Sequence, residues 1–173
     1  EKLYATAEVT GQKATELTQG FKDAGFSVYA IGDQMTKVMN TARAIGVNGQ
    51  QVSTQVVENM SKMNQYNFQG GVEGMAKMAA QAVNLRTDMK LTLDIANRLF
   101  EPEKAIDMAA AMQRLGVAQG DLLDPLRLMD LAQNDPAELQ NQIAEMSKQF
   151  VKLKADGTGF EILPGEKRRM MEI

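Results

Sequence analysis

Apolar side chains recur along this chain at intervals of three and four residues, the spacing that gathers one face of an α-helix. Residues 2–20 carry Leu3, Ala7, Val9, Ala14 and Leu17, interrupted by Gly11, and residues 21–26 read as a turn around Gly25. From Ser27 to Ile45 the stripe is Ile31, Met35, Val38, Met39, Ala42 and Ile45. Gly46 then stands where a left-handed residue ends a helix, and Asn48 can cap the next, whose stripe is Val52, Val56, Met60 and Met63. Gly70-Gly71 separates that helix from one over Val72–Leu85, with Met75, Met78, Ala79, Ala82 and Leu85 on a single face.

Thr87 is read as the N-cap of a helix over 88–100 with Leu91, Ile95 and Leu99 inward. Pro102 opens a helix to Leu115, closed by Gly116, and a shorter one covers about 120–132, with Pro125 in its first turns or breaking it. Asp135-Pro136-Ala137-Glu138 is the clearest start signal: a capping carboxylate, a proline at the first helical position and a Glu three residues after the cap. That helix should run to about Phe150. Beyond it, Val151, Leu153, Phe160 and Ile162 flank the turn sequence Asp156-Gly157-Thr158-Gly159, which predicts a β-hairpin within 150–163, and Pro164 starts a further helix.

The expected fold is therefore all-α, or mainly helical: about eight short helices joined by tight corners, with one small β-hairpin. The division is a helical domain over 1–149, then 150–173 with the hairpin and the start of another helix. Because the chain opens on Glu1 and stops inside a helical pattern, it reads as a fragment of a longer protein. A weak internal repeat places Ile45-Gly46-Val47, Leu85-Arg86-Thr87 and Leu115-Gly116-Val117 at three helix ends, 40 and then 30 residues apart. These spacings are too irregular for a solenoid.

Composition narrows the chemistry more than the fold. Among 173 residues there is no Cys and no His, against 13 Met. Disulfides, thiolate and imidazole metal sites, cysteine nucleophiles and histidine acid–base catalysis are excluded by those two zeros. A net charge of -3 provides no basic excess to neutralise phosphates, so stable nucleic-acid binding is not expected, and no apolar run is long enough to span a bilayer. The neighbouring carboxylates Glu101/Glu103 and Asp121/Asp124 fall at helix starts, where capping and the macrodipole favour acids, so we read them as caps. Residues 156–161 lack the alternating ligands and distal Glu of a calcium loop, and Gly70–Gly74 lacks the Gly-Lys-Ser/Thr of a nucleotide loop. No catalytic residue, cofactor or metal site is assigned, and no enzyme is expected.

The methionines allow two readings. Met35, Met39, Met60, Met63, Met75, Met78, Met108 and Met112 sit in helical pairs. Core filling is their ordinary role; the alternative is an adaptable surface that repacks against a partner or a second copy of the chain.

The order of motifs from about Val56 onward resembles a known family. It runs Val56-Val57-Glu58-Asn59-Met60, Phe68-Gln69-Gly70-Gly71-Val72, Met75-Ala76-Lys77-Met78-Ala79, Gln113-Arg114-Leu115-Gly116-Val117, Asp124-Pro125-Leu126-Arg127-Leu128-Met129, Asn134-Asp135-Pro136 and Ser147-Lys148-Gln149-Phe150. This is similar to the helical region of the tail tape-measure and related structural proteins of contractile-tailed bacteriophages. The resemblance covers roughly two-thirds of the chain and implies a non-enzymatic virion component, assembled in the host cytoplasm, that sets tail length and leaves before DNA. The implied partners are further copies of itself, three-fold or six-fold, and tail tube and baseplate proteins. The chain lacks the unbroken heptads of a long coiled coil, so it would be a folded domain of the tape. The competing expectation is a cytoplasmic helical adaptor that takes a protein or peptide in a Met-rich groove.

Overall fold

In a computed structural model, residues 2–114, 120–153 and 160–162 are described. Nine α-helices lie among them: α1 (Lys2–Thr10), α2 (Ala14–Asp23), α3 (Ile31–Ile45), α4 (Gly49–Glu58), α5 (Val72–Asn84), α6 (Met89–Arg98), α7 (Pro102–Arg114), α8 (Pro125–Asn134) and α9 (Pro136–Phe150). Three 3₁₀ turns, Val28–Ala30, Met60–Asn64 and Asp121–Leu123, link them. The mainly helical class holds. After α9, β1 (Val151–Leu153) pairs antiparallel with β2 (Phe160–Ile162), Val151 opposite Ile162 and Leu153 opposite Phe160. That three-residue ladder is all that is described of the expected hairpin: its turn, the further helix after Pro164 and the third corner at Leu115-Gly116-Val117 all lie outside the described residues.

The core runs through the middle of the helix array. α3 packs most extensively on α5, and α4 fills the angle between them. α1 and α2 cover the α3–α4 side, while α9 lies across α5 and α6 and α8 bridges α6 to α7. Ile31, Met35, Val38, Val52, Val56, Met75 and Met78 are fully enclosed. Such a core of Met, Ala and aliphatic residues lets helices approach closely without aromatic bulk.

The first two corners share one construction. Val47 N–H donates to the Ala42 carbonyl at 3.0 Å, and Thr87 N–H donates to the Ala82 carbonyl at 2.9 Å. Gly46 N–H donates to Arg43 O and Arg86 N–H to Val83 O, so both ends are six-to-one plus five-to-two closures around a left-handed residue. That residue is Gly46 at φ 81° in one case and Arg86 at φ 56° in the other. Asn48 then accepts Gln51 N–H, and Asp88 accepts Lys90 N–H. A shift of 40 residues carries Met35 onto Met75, Val38 onto Met78, Ala42 onto Ala82, Ser53 onto Leu93 and Val56 onto Ala96, every one of them buried. The α3–α4 and α5–α6 pairs are thus two versions of one helical unit. α8 repeats the ten-residue capped short helix, with the Asp124 carboxylate accepting Leu126 N–H.

Several boundaries differ from the sequence reading. Residues 21–23 belong to α2, and Phe21 is fully buried against Phe26, their rings edge-to-face at 5.6 Å. Gly20 lies inside α2, where the Val57 carbonyl and Met60 Cβ come within 3.6 Å of the place a Cβ would occupy. Asp88, not Thr87, caps α6, because Thr87 is occupied in closing the corner before it. α6 buries Met89, Thr92, Leu93 and Ala96; of the expected Leu91/Ile95/Leu99 stripe, Leu99 is buried and Ile95 packs on the core, while Leu91 is exposed. The expected helix through Met60 and Met63 stops at Glu58 and continues as a 3₁₀ turn.

Candidate interaction surface

α1 and α3 run side by side and leave an open groove of about 320 Å³ between them. Its apolar lining is Met35, Met39, Ala5 and Val9. Its polar lining is Thr36, Asn40 and Arg43 from α3 and Thr6 and the buried Thr10 from α1. Helical spacing explains the set. Positions 35, 36, 39, 40 and 43 of α3 share a face beside the buried stripe, and positions 5, 6, 9 and 10 do the same on α1.

The groove is held open by satisfied polar groups. Buried Thr10 turns its hydroxyl back onto the Thr6 carbonyl at 2.8 Å, so it contributes no unpaired donor. At the rim the Arg43 guanidinium donates to the Asn40 side-chain carbonyl at 3.1 Å. Met39 is clamped from behind: its sulfur accepts the Ser53 hydroxyl at 3.4 Å, and its methyl end fills the space where a side chain at Gly49 would begin. A Cβ at Gly49 would stand only 2.7 Å from Met39 Cε, so a larger residue there would have to displace the end of the Met39 side chain.

The methionines separate into two groups. Met35, Met60, Met75, Met78 and Met112 are buried, Met63 and Met108 are half-buried against the core, and Met39 is half-buried in the groove. Five of the eight candidate surface residues are thus core in this conformation, and Met35 and Met39 are the pair that line the groove. Met89, fully enclosed at the start of α6, belongs with the core group.

Exposed apolar side chains lie both on the groove and away from it. Tyr29 stands 96% exposed on the turn before α3, Leu126 is 76% exposed in the first turn of α8, and Val9 is 61% exposed on the groove wall. Tyr29 and Leu126 were missed because each sits at a helix start, outside any stripe.

Acidic groups are scattered among local structural roles. Asp88, Asp124 and Asp135 each accept a first-turn N–H, and Glu73 pairs with Lys77 on the exposed side of α5. Glu138 does not complete a capping box; its carboxylate accepts the Asn141 and Gln142 amides instead. Among the described residues no three His, Cys, Asp or Glu side chains gather as metal ligands would. Gly70 and Gly71, at φ 82° and 62°, turn the chain into α5, and Gly74 packs directly on the Gln69 carbonyl. That loop is shaped by close packing, as a plain connection between helices requires. The buried polar groups join elements: Tyr66 donates to the Leu93 carbonyl at 2.9 Å, and Gln140 donates to the Met78 carbonyl while accepting the Thr92 hydroxyl. Burial, with a smaller contribution from Asp94, raises the Tyr66 phenol above its ordinary range.

No protein-family profile, no curated protein and no solved structure matches this chain. No helix among the described residues is long and apolar enough to cross a membrane.

Proposed function

We propose that this chain is a non-enzymatic structural component of a bacteriophage tail, tape-measure-like, acting as a folded domain that assembles with copies of itself and with tail tube and baseplate proteins in the virion. The observation that carries the reading is the groove between α1 and α3: a largely apolar lining with a single charged side chain, Arg43. Such a surface is suited to receive a helix and has few groups with which to turn over a substrate. The motif order from Val56 to Phe150 supplies the tail assignment, and assembly in the host cytoplasm accompanies it. The role is mechanical: Met, Ala and Leu bury helix faces within the domain, and the groove adds contacts between protomers. A net charge of -3 keeps the surface from gripping DNA that must pass.

Tails purified from lysed host cells, dissociated and digested test the assignment. Peptides of this chain should co-sediment with tails in a fixed stoichiometric ratio. Their consistent absence from tails, with the protein recovered only in the soluble fraction, overturns it.

The groove also favours a second reading, an adaptor that seats one partner helix over Met35 and Met39. Light scattering on the purified protein separates the two: a three-fold or six-fold assembly supports the tail component, and a monomer at every concentration supports the adaptor.

A further inference from the structure

We draw no further inference here: the strongest candidate, the exposed apolar pair Val28 and Tyr29 on the 3₁₀ turn that leads into α3, is an unpartnered surface patch, and nothing in the structure shows what covers it.

Discussion

Arg86 is the one residue other than glycine with positive φ among the described residues, and it occupies the place that Gly46 holds in the first corner. A Cβ in the left-handed region costs on the order of 1 kcal/mol, a strain glycine does not bear. Arg86→Gly should therefore stabilise the fold by about 0.5 kcal/mol after the entropy of the more flexible unfolded chain is counted, whereas Gly46→Ala should destabilise it by about 1 kcal/mol. Urea unfolding of the two variants checks both signs. Gly74 is constrained differently. Its φ is ordinary, but an added methyl would strike the Gln69 backbone carbonyl, which cannot move without reshaping the Gly70–Gly71 turn. Gly74→Ala should lower stability by about 2 kcal/mol or more, with a matching fall in the thermal midpoint.

Tyr66 is the residue where pH should enter. Its phenol is buried beside Phe68 and stacked on Phe100, with its hydroxyl donated to Leu93. Burial, and to a lesser extent Asp94, disfavour the phenolate, so the folded state holds the proton more tightly than the unfolded chain. The associated stability is complete below the ordinary tyrosine pKa of about 10 and is lost as pH rises through the higher folded value. Tyr66→Phe should be less stable near neutrality by about 1 kcal/mol, through the lost hydrogen bond, and should show a shallower decline above pH ~10. Thermal melts over that range give the result.

Among the helices, the sequence is most legible where local chemistry acts alone. Pro136 behind Asp135 opens α9 as expected, with Asp135 accepting Glu138 N–H at 3.0 Å. Gly46 and Asn48 mark the end of α3 and the start of α4 because a left-handed residue and a side-chain cap are local needs. Legibility fails where tertiary partners decide. The inward face of α6 could be read only in part from spacing, since Leu91/Ile95/Leu99 and Met89/Leu93/Ala96 are equally helical stripes and only Leu91 of the first faces out. Thr92 settles the rotation, because it is buried by a hydrogen bond to Gln140, 48 positions away in sequence. The end of α2 was hidden in the same way: residues 21–26 read as a turn around Gly25, while burial of Phe21 in the core carries the helix on to Asp23.

The same long-range chemistry joins the two helical units. Gln55 in α4 accepts Met89 N–H at 2.9 Å and donates to Thr87 O at 3.1 Å, so the first unit caps the short helix of the second. Gln140 ties α9 to α5 and α6. Gln140→Ala should cost about 2 kcal/mol, because the buried Thr92 hydroxyl loses its partner. A double-mutant cycle with Thr92→Val should recover part of that cost, whereas purely additive losses would mean that the pair is not coupled.

At the scale of the whole molecule, the candidate surface was half legible. The sequence reading marked Met35 and Met39 with six other methionines, and only the packing of α1 beside α3 singles out that pair as groove lining. Threonines 6, 10 and 36 carried no signal at all, because their place on the groove depends on how two helices that do not follow one another in sequence lie together. The buried methionines answer to a demand of the fold, and on the proposed reading the groove answers to one of assembly.

Sedimentation velocity on the purified protein and on a Val9→Asp/Thr36→Asp variant tests that assembly most directly. Both substitutions fall on exposed positions of the groove and leave the core untouched. The wild type should sediment as a closed oligomer, and the variant as a monomer with the same circular dichroism. A wild type that remains monomeric at every concentration, or a variant that assembles equally well, would contradict the account.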